Sequence, residues 1–84
     1  MSLDEKFQDA AERVKKLQKR PSNEDLLQLY ALFKQGSEGD VKGSRPGMLD
    51  LKGRAKFDAW ASKKGTGSAA AKEAYVALVD RLTS

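Results

Sequence analysis

Hydrophobic positions recur at helical spacing in four separate stretches of this chain. Phe7, Ala10, Ala11, Val14 and Leu17 follow an i, i+3, i+4, i+7, i+10 progression, which places them on one face of a helix over about 3–18. Leu26, Leu29, Tyr30 and Phe33 repeat the pattern and predict a second helix over about 23–36. Phe57, Trp60 and Ala61 anchor a third over about 51–64. Ala71, Ala74, Tyr75, Leu78 and Leu82, with Val79 alongside, mark a fourth over about 68–82. No strand is expected.

The residues between these stretches punctuate them. Pro21 stops the first helix, because proline cannot donate to it and restricts the residue before it. Ser22 offers an N-cap to the second, with Asp25 three residues on, and Gly36 and Gly39 are natural terminators. Residues 37–50 hold three glycines and a proline and read as a long ordered connection. Its turns are expected to be pinned by Val41, Met48 and Leu49. Its length permits a crossover, so the second and third helices need not be antiparallel neighbours. Asp50 can cap the third helix and Gly65 can close it. Asp4 and Glu5 near the start of the first helix, and Lys15, Lys16 and Lys19 towards its end, complement the helix dipole.

Eighty-four residues make one domain with a modest core, so a large ligand would lie in a groove rather than in a sealed cavity. The formal net charge of +4 favours an anionic partner: nucleic acid, an acidic membrane or a phosphorylated small molecule. The chain has no Cys and no His. Disulfides and thiolate chemistry are therefore absent, as are the commonest general base and the commonest metal ligand. No metal site or cofactor fingerprint is expected. The first residues carry no apolar run, no 18-residue apolar stretch occurs and the common lipidation motifs are missing, so a cytoplasmic protein is expected.

Candidate chemistry then narrows to cations beside aromatics. Lys34 lies four residues after Tyr30, hence beside it on the helix surface. A ring next to an ammonium suits a ligand with a flat base and a phosphate. Lys15, Lys52, Lys56 and Tyr75 extend this set over all four helices. The same residues also serve as ordinary core aromatics and solvated lysines, and spacing does not choose between one converging site and six unrelated positions.

The ordered segments LLQLYALFKQGSEGD, SRPGMLDLKGRAKFDAW, KKG and EAYVALV resemble the acyl-CoA-binding protein family, from about Phe7 to Leu82. That resemblance implies an all-α, four-helix up-down-down-up bundle forming a single acyl-CoA-binding domain over 1–84. It implies an intracellular carrier and pool former for medium- and long-chain acyl-CoA in lipid metabolism, and not an enzyme. It also implies a monomer with no cofactor and no nucleic-acid partner, making transient contacts with membranes or acyl-CoA-using enzymes. By the same resemblance Tyr30 stacks on adenine, and Lys34 and Lys56 meet the ribose 3'-phosphate. Lys15 and Lys52 line the CoA site, and Tyr75 contacts the nucleotide. Phe33 belongs to the ligand-binding set but stands where the family usually has Tyr, so a phosphate-directed hydroxyl is missing. Phe57 likewise replaces the usual Trp, and Gly36-Ser37 the common Ala-Thr. Phe7, Ala10, Ala11, Leu26 and Leu27 match positions near an acyl-chain groove, although core packing also explains them. Three rivals stand beside this reading: a nucleic-acid-binding module, a protein-interaction bundle and a CoA-linked enzyme.

Overall fold

The computed structural model describes residues 1–84 as four helices and no strand: α1 (Leu3–Val14), α2 (Asn23–Glu38), α3 (Leu51–Ala61) and α4 (Ser68–Thr83). Three of the four start on side-chain caps. The Ser2 hydroxyl accepts from Glu5 N–H while the Glu5 carboxylate accepts from Ser2 N–H, a reciprocal capping box. Ser22 accepts from Asp25 N–H, and Asp50 from Gly53 N–H. Gly67 precedes α4 and supplies no side-chain cap.

Cross-helix pairs fix the directions. Asp4 meets Lys72 and Arg13 meets Asp80, so α1 and α4 run parallel. Asp25 meets Arg81 at the start of α2, while Ser68 donates to the Gly36 carbonyl near its end, so α2 and α4 run antiparallel. On α2 and α3, Tyr30 faces Lys56 and Lys34 faces Trp60, so these two run parallel. The result is the up-down-down-up order, with residues 39–50 carrying the chain back along the bundle. No helix is long and apolar enough to cross a membrane.

The core lies where α1, α2 and α4 meet: Phe7, Ala10, Leu29, Leu32, Tyr75 and Val79. Phe7 stacks on Phe33 at 5.1 Å, and Tyr75 meets both rings edge-on at 5.1 and 5.7 Å. Such aromatic pairs contribute roughly 0.5–1.5 kcal/mol each beyond the area they bury. Gly36 permits this closeness, because a Cβ there would lie 3.0 Å from Lys72 Cγ and 3.4 Å from Phe7 Cζ. The buried stripe of α4 is Ala71, Tyr75 and Val79, and Ala74 is exposed, one position off the expected face. On α2, Leu32 and Gln35 are buried while Tyr30 is only half-buried. The α2 face that carries the core is thus rotated away from Tyr30.

Helix ends also depart from expectation. α1 stops at Val14 rather than near residue 18. Beyond it, Lys16 and Leu17 N–H groups bond three residues back, a tightened turn. Arg13 in its last turn already reaches Thr83 at the end of α4, and Lys16 to Lys19 continue past it only as a turn beside Leu82 and Thr83. α2 runs through Gly36 to Glu38 and ends at Gly39, whose φ of 83° is a conformation that side chains disfavour. The long connection is not pinned by Met48 and Leu49, which are 80% and 100% exposed. It is held instead by the Arg45–Asp58 pair, bidentate at 2.9 and 2.7 Å, and by Trp60 Nε1 donating to the Gly39 carbonyl at 2.8 Å.

The end of α2 carries a denser node. Gln35, 1% exposed, donates through Nε2 to Asp40 Oδ1 at 2.8 Å and to the Thr66 carbonyl at 2.9 Å. The same Asp40 oxygen accepts from Gly65 N–H at 2.9 Å. The Gly65 N–H, then the Gln35 amide, hold the Asp40 carboxyl below its ordinary value. A depressed folded-state value contributes stability above the unfolded-state pKa, lost as pH falls through the folded one. Asp40→Asn is therefore expected to lower the melting temperature at pH 7. That gap should close as pH drops below about 4, measured by thermal unfolding monitored by circular dichroism across pH 2–7.

Candidate functional site

Tyr30, Lys34 and Lys56 come together on the outer face of α2 and α3. Lys34 Nζ lies 5.9 Å from the Tyr30 ring centroid and 5.6 Å from that of Trp60. Lys56 Nζ, from α3, lies 5.4 Å from the Tyr30 ring. These distances fall within the range in which an ammonium is attracted to a ring face. The local reason is simple. Helical spacing sets Lys34 one turn beyond Tyr30, and the parallel packing of α3 brings Lys56 across from it. The cluster offers an aromatic surface with a cation from each of two helices, a combination that can receive a flat base and an anionic group.

Two open grooves flank this cluster. The first, about 350 Å³, is bounded by α1 and α2 with Tyr75 of α4; Ala11, Lys15, Leu29, Tyr30 and Phe33 line it. The second, about 510 Å³, lies between α2 and α3 and is lined by Arg20, Leu26, Leu27, Leu51, Lys52 and Lys56, with Ala55 and Asn23. Tyr30 thus stands in the first groove while its ring faces a lysine of the second. Larger and mainly apolar in exposed wall, the α2–α3 groove carries three cations along its rim.

The expected site residues are distributed unevenly over this geometry. Lys52 and Lys56 share the α2–α3 groove with Leu26 and Leu27. Lys15, Phe33 and Tyr75 line the other groove with Ala11. Lys15 is paired with Glu12 at 3.5 Å and is well exposed. Phe33 is half-buried, packed against Phe7 and Tyr75. Tyr75 is 3% exposed, and burial pushes its phenol above the ordinary tyrosine value. Phe7 and Ala10 are core residues, 2% and 0% exposed, and line neither groove. The five positions assigned to an acyl-chain groove therefore do not form one surface: two lie in the core, Ala11 in one groove, and Leu26 and Leu27 in the other.

The site has further neighbours beyond the residues expected. Trp60, a helix anchor by its spacing, also backs Lys34 with its ring. Arg20 and Leu51, at the borders of helices, line the end of the α2–α3 groove where both helices begin. Glu38 pairs with Lys34 at 2.7 Å and, by hydrogen bonding, raises the lysine above its ordinary pKa. Its i, i+4 spacing from Lys34 was a readable signal. The proximity of Trp60 and Arg20 was not, since it depends on how α3 packs. No three acidic groups converge as a metal-ion site.

The Tyr75 phenol gives a clean prediction. A group kept neutral by burial, with a raised folded-state value, contributes stability that is full at neutral pH and is lost as pH rises towards that value. Tyr75→Phe should therefore change urea-unfolding stability little at pH 7 and be relatively more stable than the parent above about pH 10.

The model of the Acyl CoA binding protein family matches residues 4–79. The chain is 58% identical to acyl-CoA-binding protein homolog 1 of Caenorhabditis elegans, over 90% of this chain and 88% of that one. With the acyl-CoA-binding protein homolog of Drosophila melanogaster the identity is 52%, over 98% of this chain and 95% of the other. Among solved structures, acyl-CoA-binding protein 2 of Oryza sativa superposes with a TM-score of 0.93 at 42% identity, covering 96% of this chain and 88% of that one.

Proposed function

This chain belongs to the acyl-CoA-binding protein family, and from that premise we propose that it binds acyl-CoA thioesters and carries them in lipid metabolism. The observation that carries the reading to particular residues is the Tyr30 ring flanked by Lys34 and Lys56, with an apolar groove on either side. Adenine stacks on Tyr30, and the ribose 3'-phosphate is met by the two ammonium groups. A phosphate monoester carries about −1.5 to −2 charges at neutral pH, which two lysines neutralise. The pyrophosphate has Lys15, Lys52 and Arg20 along the groove rims.

The acyl chain runs in the α2–α3 groove over Leu26 and Leu27, the larger apolar wall next to the lysines. Each methylene removed from water contributes up to about 0.8 kcal/mol. The nucleotide is thus a common handle, and chain length sets affinity, with medium and long chains preferred. The role is binding and not catalysis: a chain without His or Cys lacks the usual general base and thiolate nucleophile for thioester cleavage. We place it in the cytoplasm as a monomer that meets membranes and acyl-CoA-using enzymes only to exchange ligand.

Calorimetric titration tests the reading. Affinity is expected to rise from CoA through medium-chain to long-chain acyl-CoA and then level off. Equal affinity for CoA and palmitoyl-CoA would sink the carrier role.

Substitutions test the anchoring residues. Tyr30→Leu should weaken long-chain acyl-CoA binding by about 1–3 kcal/mol, the usual worth of stacking on a base, while circular dichroism still reports a folded bundle. Tyr30→Phe should retain most of the affinity. Lys56→Ala should lose roughly 1.5–3 kcal/mol against acyl-CoA and much less against acyl-dephospho-CoA, which lacks the 3'-phosphate.

A further inference from the structure

The one carboxylate built against the proposed phosphate site is Glu38. Its Oε2 sits 2.7 Å from Lys34 Nζ, the shorter of the two lysine–glutamate pairs in the chain. Three neighbours restrain Lys34: Glu38 holds the ammonium, and the Tyr30 and Trp60 rings lie 5.9 and 5.6 Å from it. Lys56, the other cation beside Tyr30, makes no ion pair. The position of Glu38 is also unfavourable for its own helix. It is the last residue of α2, where the dipole repels a negative side chain, and that last turn contains no basic residue. What the carboxylate gains in this place is Lys34.

We infer that Glu38 is a built-in competitor of the ligand's phosphate: it holds Lys34 in the free protein and must release or share the ammonium when a nucleotide 3'-phosphate arrives. The inference rests on the acyl-CoA reading and adds a residue that sets affinity to it. Free, the site presents two lysines and one carboxylate, a net charge of one rather than two. An incoming phosphate therefore exchanges one anion for another at Lys34 instead of meeting a bare cation. A stored partner of this kind keeps Lys34 pointing over Tyr30 in the free state. It also lowers the affinity for the handle common to all acyl-CoA ligands, so a larger share of the binding comes from the acyl chain, and release to an acceptor is faster.

The test compares CoA with dephospho-CoA by calorimetry at low salt, using the full chain and its Glu38→Gln and Glu38→Ala variants. Glu38 is 53% exposed, so both variants are expected to fold. Exposed ion pairs are worth about 0.2–1 kcal/mol, so removing the competitor should tighten CoA binding about 1.4- to fivefold. Dephospho-CoA binding should stay unchanged, and the gain should shrink in high salt. If the parent chain binds CoA more tightly than dephospho-CoA but neither variant improves on it, the competitor role is overturned and the acyl-CoA reading stands. Equal gains for both ligands would also overturn it, because Glu38 would then not be acting at the 3'-phosphate. If the parent chain binds CoA and dephospho-CoA equally, or binds neither, the competitor role is overturned, and only a failure to bind long-chain acyl-CoA as well would remove the acyl-CoA reading.

Discussion

The fold turns on how the end of α2 is tied to the segment between α3 and α4. Gln35 bridges Asp40 and the Thr66 carbonyl, Asp40 also takes the Gly65 N–H, and Trp60 reaches the Gly39 carbonyl. α3 contributes no fully buried residue of its own, so hydrophobic burial holds it only loosely. Polar bonds from a nearly inaccessible amide supply the missing definition, because a buried donor that lost its partners would cost about 1–3 kcal/mol. Gln35 Oε1 remains buried without a partner, so the whole hydrogen-bonding value of the side chain lies in its two donated bonds. Fixing α3 against α2 at one end fixes where Lys56 stands relative to Tyr30 further along. The site depends on this node and shares one residue with it, Trp60, whose indole N–H holds Gly39 while its ring backs Lys34.

The opposite side of α2 obeys a different constraint. There the three aromatic rings of Phe7, Phe33 and Tyr75 fill the space between α1, α2 and α4. Small residues at Ala10, Gly36 and Ala71 let the backbones approach closely enough for the rings to interlock. Phe33 in this cluster explains why a phenylalanine is tolerated at a position where a hydroxyl would be expected: its ring serves the core as well as the groove. α2 is thus cored on one face and left open on the other, and Tyr30 stands at the boundary.

Charge organises the surface more than it stabilises it. Pairs such as Arg13–Asp80 and Arg81–Asp25 mark helix directions but are partly exposed, and exposed pairs contribute little each. Along the α2–α3 groove, by contrast, Arg20, Lys52 and Lys56 are in no ion pair. Leaving those cations unpaired keeps a positive potential over an apolar wall, which suits an amphipathic anion.

Much of this was legible in the sequence. Periodicity of apolar residues, the Ser22 and Asp50 caps, Pro21 and the glycine-rich connection located four helices, because these are local features and helix formation responds to local chemistry. The Tyr30–Lys34 pair was readable for the same reason, being one helical turn apart. Tertiary packing decided the rest. It set which face of α2 was core, so that Leu32 and Gln35 were buried and Tyr30 was not. It ended α1 at Val14, where the last residues of α4 are already reached. It left Met48 and Leu49 in solvent, although apolar, because Arg45 and Trp60 had already anchored the connection. Above all it divided the apolar residues Phe7, Ala10, Ala11, Leu26 and Leu27 among a core and two grooves. Periodicity says that a residue shares a face with its neighbours in sequence. Only the placement of the other helices decides whether that face is covered, lined or left open.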